Sequence, residues 1–476
     1  MNSFPPGLAP MHPTRVPALA LAVLLSGCAS LAPQGGALPQ TPVPAAWSGN
    51  TTTPAAATSL AQWWQRFNDP LLARLVTQAL QANTTVRSAQ AALQQARALR
   101  DVSSARLAPI VNAAGSAQRS KSGGNEAGNL FKAGFDASWE PDVFGARRSA
   151  LNATEADAQA AQASLAETQV SMAAEVAVTY IELRGLQARL AIARNNLASQ
   201  SETQQITDWR VQAGLASSLD LEQARAASAQ TSAQIPTLET SAAQAQHSLA
   251  VLTGQAPGAL QALLTAAGPV PQAPGALTLS LPADTLRQRP DLRAAEQRIS
   301  AALARVSQAE AARYPGFQIS GSLGLNALSL GSLASGGTVA SALLASISVP
   351  LLDGGAARAQ VRAQEAALEQ SRVAYEATVL TALKDVEDAL VALQGDRERL
   401  ARLQIAADAA GNAELLARQR YASGLIDFRT VLETQRTLLS TQDSVESTRA
   451  ILSADHVRLY KALGGGWTPG PEAATP

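Results

Sequence analysis

The 476-residue chain has one cysteine, three histidines and only 4% aromatic residues, and each shortage closes off a class of protein. A single Cys cannot build an internal disulfide framework. His12, His247 and His456 lie far apart, with no Cys or His at ligand spacing, so the sequence carries no zinc motif. So few rings leave a conventional globular core without its usual filling. Charged residues make up 16% of the chain, against about 25% in an ordinary soluble domain. The 37 basic and 37 acidic side chains cancel, which removes the field that would hold a polyanion and excludes nucleic acid as a default partner. No nucleophile and base at a recognisable spacing, metal cluster or phosphate loop is present, and this speaks against an enzyme and against a cofactor. Past the N-terminal region no apolar run reaches about 18 residues, so a transmembrane helix is excluded and any crossing of a membrane falls to strands.

What is abundant is alanine and leucine, which dominate the 46% hydrophobic fraction. That composition suits long helices packed through small side chains. At the N-terminus Arg15 precedes a short apolar run ending at Ser26-Gly27-Cys28, the pattern of a secretory signal peptide over residues 1–27. Leu25-Ser26-Gly27-Cys28 resembles the bacterial lipobox, which implies diacylglycerol and N-acyl chains on Cys28. Ala29 follows where Asp is absent, as in lipoproteins sorted to the outer membrane. Met11 is an alternative start, because ten residues ahead of the basic region exceed what such a signal needs. Residues 28–59, rich in Pro, Ala, Thr and Gly without apolar period, read as an extended tether.

The rest reads as two halves on one plan, 60–253 and 283–463, joined by a Pro- and Gly-rich connector at 254–282 and followed by a tail at 464–476. A helical pattern from Leu71 through Val86 to Leu107 stops at Pro109; in the second half a helix opening at Pro290-Asp291 runs to Arg313 and stops at Pro315. Each half then switches to period two, with one hairpin at about 109–140 and another at about 315–350. Phe131, Ala133, Phe135, Ala137 and Trp139 alternate with Lys132, Gly134, Asp136 and Ser138, as strands facing lipid on one side do. Four strands cannot close a barrel, so these strands span only in an oligomer, and three chains would supply twelve. Long Pro-free helical stretches follow, Arg147 to Ala213 and Ala356 to Ser423, each long enough for about 100 Å of helix. Each turns at a glycine, Gly214 or Gly424, and returns over 217–252 or 427–463. Pro236 predicts a kink or break in the first return helix.

Trp63-Trp64-Gln-Arg-Phe-Asn-Asp69-Pro70, Asn83, Trp139-Glu-Pro-Asp142-Val-Phe-Gly145, Arg289-Pro290-Asp291, Asp353-Gly354-Gly355, Arg420-Tyr421-Ala-Ser-Gly424 and Leu459-Tyr-Lys-Ala-Leu-Gly-Gly-Gly-Trp467 occur in order along the chain. With them the sequence resembles the TolC-like outer-membrane efflux proteins, nearest the NodT/OprM-type lipoprotein branch, over nearly all of residues 60–467. The resemblance implies a mainly α fold with transmembrane β: a homotrimer with a twelve-stranded β-barrel in the outer membrane and a periplasmic α-barrel of helical hairpins. It implies a passive exit duct that works with a periplasmic adaptor and an inner-membrane pump of RND type; the alternative is a lipid-anchored periplasmic scaffold without a pore. It assigns adaptor contact to Gly214, Leu215, Gly424 and Leu425, and a periplasmic gate to Asp220, Arg429, Thr430 and Glu433. Family positions matching Thr430 and Glu433 carry aspartates around the closed pore, and the position matching Arg429 is apolar in some members. Arg429 departs from this, and with Glu433 four residues on it points to a charged constriction. The pair Trp63 and Trp64 reads as a packing anchor, and Asp385, Glu387 and Asp388 as a solvated helix face. Cargo is not legible.

Overall fold

The computed structural model describes residues 39, 42–47, 60–121, 123–124, 126–273, 286, 288–335 and 338–467. The expected signal peptide, the expected lipidation site at Cys28 and most of the expected tether lie outside the described residues. No helix among the described residues is long and apolar enough to cross a membrane. The chain divides into two compact units.

The unit formed by Leu99–Ala156 and Ile299–Ser371 holds four strands: β1 (Ile110–Ser120), β2 (Gly128–Trp139), β3 (Gly316–Ala327) and β4 (Val339–Ser348). They form one antiparallel sheet in the order β1-β2-β3-β4, so the hairpins expected separately are joined through β2 and β3. Register sets the faces. Val111 pairs with Ala137, Ala137 with Gly321, and Gly321 with Leu343, which continues one apolar row across all four strands. Asn112 pairs with Asp136, Asp136 with Ser322, and Ser116 with Lys132, so polar side chains share the other face. A slip of one residue at any junction would mix the rows. Both outer strands, β1 and β4, are exposed along their whole length.

Gly134 and Gly324 face each other at the centre of the β2–β3 junction. A Cβ on Gly134 would come 2.6 Å from the Gly324 Cα and 2.7 Å from the Leu323 carbonyl oxygen, both of them backbone atoms. Beyond the strands, the Asp142 carboxylate accepts from the Arg147 and Arg148 amides at 2.9 and 2.8 Å, and so caps the start of the long helix α3 (Ala146–Gln212).

The other unit, Pro39–Ala98, Asp157–Arg298 and Arg372–Pro476, is helical. α1 (Pro70–Ala82) has Asp69 as its N-cap and buries Leu72, Leu75, Val76 and Ala79, an i, i+3, i+4, i+7 face. The helix expected to continue from Leu71 to Leu107 breaks at Asn83, and α2 (Thr84–Ala105) begins anew. Asn83 explains the break: its side-chain oxygen accepts from the Thr85 and Val86 amides while its Nδ2 donates to the Leu252 carbonyl at 2.9 Å. Of the kink or break expected at Pro236, no break occurs: α4 (Ser218–Leu252) continues through it, and Pro236 is exposed, where water can satisfy the carbonyl it leaves unpaired. Three further long helices are α5 (Pro290–Ala311), α6 (Ala356–Ala422) and α7 (Phe428–Ala462).

Trp63 and Trp64 are buried, Trp63 stacked on Tyr460 at 5.4 Å and edge-on to Phe67. They anchor packing, as expected. Beside them, Tyr180 of α3 donates to Asp69 at 2.9 Å and accepts from the Arg184 Nε at 3.0 Å; Arg184 also donates to the Ala266 carbonyl, and Gln187 to that of Leu264. This polar network fastens the α1 cap and the connector to α3.

Two predictions follow from this packing. Gly134→Leu places a side chain against backbone and should destabilise the sheet by about 1–3 kcal/mol, whereas Gly128→Leu, with nothing within 4 Å of its Cβ, should be tolerated; the loss of the folded, slowly migrating form on unheated gels measures both. Burial pushes the Tyr180 phenol from 10.0 up to about 12. Its contribution to stability is therefore full below pH 10.0 and is lost as pH rises towards about 12. Alkaline melts should show this decline, and Tyr180→Phe should flatten it.

Candidate functional site

Each helical hairpin turns the same way. α3 ends at Gly214 in the left-handed region, φ +73°, with the Leu215 amide donating to the Arg210 carbonyl at 2.7 Å and the Gly214 amide to that of Val211 at 3.0 Å. α6 ends at Gly424, φ +74°, with the same two bonds from Leu425 to Arg420 and from Gly424 to Tyr421, both 2.9 Å. This paired closure of the last carbonyls needs a positive φ, which a side chain resists. It holds Leu215 and Leu425 outward, 70% and 73% exposed. The four residues expected at adaptor contacts therefore form two matching turns, each presenting one leucine.

The next helix starts are mirror chemistry. At α4 the Ser217 hydroxyl accepts from the Asp220 amide while the Asp220 carboxylate accepts from the Ser217 amide at 3.0 Å and hydroxyl at 2.8 Å. At α7 the acid stands first: Asp427 accepts from the Thr430 amide at 2.9 Å and hydroxyl at 2.7 Å, and these bonds hold its carboxyl below the usual range. Asp220 and Thr430, expected at the gate, are thus occupied as caps within the chain. Arg429 and Glu433 share an exposed face of α7, and no ion pair joins them within the chain. A weak intrahelical pair is not formed, and Asp220 is not the partner of Arg429 inside one copy.

Composition and spacing did not single out Arg210 and Tyr421 as a pair. The Arg210 guanidinium lies 4.5 Å from the centre of the Tyr421 ring and donates to the Tyr421 carbonyl at 3.0 Å. Tyr421 in turn packs on Phe428 at 5.4 Å, over buried Ala224, Ala227, Val431 and Leu432. The available signal was position: Arg210 and Arg420 stand four residues before the two tip glycines. The acidic cluster of α6 is spent on ion pairs, Asp385 with Arg289 at 3.4 Å and Asp388 with Lys384 at 2.6 Å. Arg289 itself is buried on Asp291 and the Ala462 carbonyl, which ties the start of α5 to the end of α7.

This arrangement has relatives. The model of the family described as "Outer membrane efflux protein" matches residues 75–255 and 281–465. Nodulation protein T of Rhizobium leguminosarum bv. viciae is 32% identical over 469 residues, 98% of this chain and 96% of that protein. Outer membrane protein OprJ of Pseudomonas aeruginosa is 30% identical over 464 residues, 96% of each. The solved outer-membrane channel OprN matches with a TM-score of 0.84 at 35% identity, over 91% of this chain and 100% of that one. The chain belongs to the outer membrane efflux protein family, and its place is the outer membrane.

Gly424→Val should strain the second tip by about 1–2 kcal/mol, seen as faster protease cleavage near residue 424, while Ser423→Ala leaves cleavage at the parent rate.

Proposed function

We propose that the chain is the passive exit duct of a tripartite efflux system. Three copies supply the twelve strands of a closed outer-membrane barrel, and their helical hairpins form the periplasmic conduit. The observation that carries this reading is the sheet: four strands of 11, 12, 12 and 10 residues, apolar on one face and polar on the other in a common register, with both edges open. A scaffold without a pore has no use for such a sheet. Tandem duplication accounts for the matched halves, and lipid chains on Cys28 anchor the tether.

The exposed leucines at the two tips support docking of a periplasmic adaptor, which links the duct to an inner-membrane pump, of RND type in our reading. Arg429 and Glu433, exposed on one helix face and unpaired with each other, are available to neighbouring copies as a charged constriction, with Asp220 and Thr430 shaping the helix starts beside it. Cargo comprises drugs or other small toxic compounds, chosen by the pump. Relatives named for toluene efflux and for pyoverdine export are both 32% identical to this chain, so overall likeness does not divide cargoes.

Single-channel conductance in a planar bilayer tests the duct and its gate together. The parent should conduct weakly, and Arg429→Ala or Glu433→Ala should raise conductance several-fold. A pore indifferent to both changes moves the gate elsewhere, and no conductance from a folded oligomer contradicts the duct.

A further inference from the structure

The stretch ahead of the helices is seated on them. Residues 42–47, Pro-Val-Pro-Ala-Ala-Trp, fall inside the tether expected over 28–59. Val43 packs on a cluster that holds Val379 and Ala382 of α6, and Trp47, 8% exposed, is buried in a second cluster with Val386 and Leu393 of α6 and Leu452 and Leu459 of α7. Val379 and Val386 are two turns apart on α6, about 10 Å, and the step from Val43 to Trp47 reaches about 13 Å when extended. The segment therefore lies along α6 as a strap. Pro42 and Pro44 have no amide hydrogen, so it is not zipped on as a strand, and Val43 and Trp47 plug it in place.

Beside the Trp47 seat stands a buried titratable group, His456. Leu452, His456 and Leu459 follow at i, i+4 and i+7, so the imidazole is on the α7 face that meets Trp47. Its Nδ1 lies 2.9 Å from the Leu452 carbonyl, which can only accept, so Nδ1 carries the proton of the neutral ring and Nε2 is the atom that titrates. The facing charges come from two helices. Arg397 of α6, one turn beyond Leu393, acts on the ring directly. On α7, Asp455 is engaged by Arg458 at 2.5 Å and by the Asp396 carboxyl of α6. Residues 42–47 bring no titratable group. Burial lowers the His456 pKa from the usual 6.5; the Leu452 bond opposes this and Arg397 adds to it.

A proton on Nε2 puts a full charge on this apolar face, next to Arg397 of the same sign. Such a charge has to be hydrated. α6 and α7 are continuous helices on either side of the site, whereas the strap is held by two plugs, so the strap is the part that gives way. We infer that the strap has a proton-sensitive catch: when His456 takes a proton on Nε2, Trp47 leaves its seat and residues 42–47 come off α6. The packing of the neutral ring contributes fully above pH 6.5 and is lost as pH falls through the lowered value. The strap stands between the helices and Cys28, nineteen residues before Trp47, so acid slackens the link to the expected lipid anchor. The catch does not depend on a pore.

Proteolysis of the full-length protein in detergent tests it. Proteinase K cleavage between residues 43 and 48, read by mass spectrometry and normalised at each pH to a free peptide of the same sequence, follows the open population of the strap. From about pH 7.5 to about pH 5 the normalised rate should rise several-fold in the parent. Trp47→Ala should be cut fast at both values, which fixes the open limit. His456→Gln and His456→Phe carry no proton at either value, and whichever matches the parent rate at the higher pH should stay slow at the lower. Asp396→Asn, which changes the other titrating contact of this site, should keep the parent's rise. A parent cut equally slowly at both values overturns the catch. So does a rise that persists without the imidazole, or one that disappears in Asp396→Asn, since either assigns the response to the Asp396 and Asp455 carboxyls.

Discussion

The structure turns on backbone groups that have no partner. β1 and β4 each have one edge of amides and carbonyls with no strand partner among the described residues, on a sheet with one largely apolar face. In lipid each unsatisfied group costs several kcal/mol, and no side chain offsets a whole edge. One copy is therefore an incomplete solvent-exclusion problem. In the proposed duct, a second copy beside each edge would solve it with the same antiparallel bonds that β2 and β3 already make. The opposed pair Gly134 and Gly324 shows how closely that inner junction is drawn.

The helices pose the same problem in water. Alanine-rich surfaces bury little area per residue, so long helices gain stability by close approach and by well-made ends. Ends are well made here: Asp142, Ser217 with Asp220, and Asp427 satisfy amides at helix starts, and Gly214 and Gly424 return carbonyls at the tips. The buried chain from Asp69 through Tyr180 to Arg184 holds the connector, a segment with little hydrophobic claim of its own. Val391, Ile405 and Leu380 stay more than half exposed along α6 in a single copy.

Periodicity carried much of this fold in advance. The strands, the tip glycines and the lengths of the long helices follow from alternation, from glycine after a helical run and from the absence of proline. Most of what periodicity missed depends on a residue distant in sequence. Asn83 breaks a helix because the Leu252 carbonyl waits for its amide group, 169 positions away. Pro236 leaves α4 unbroken because its side faces water, which a propensity does not reveal. Arg210 meets Tyr421 across 211 positions. The joining of β2 to β3 brings together strands from opposite halves, and no local pattern states it.

In the proposed duct the edges of this sheet are never open in the membrane. Amide hydrogen exchange in lipid nanodiscs reads those edges directly, peptide by peptide. If copies complete one another, β1 and β4 will exchange as slowly as β2 and β3 over hours. Fast exchange of about half the amides of β1 and β4, with β2 and β3 protected, would show single sheets with bare edges and contradict the account.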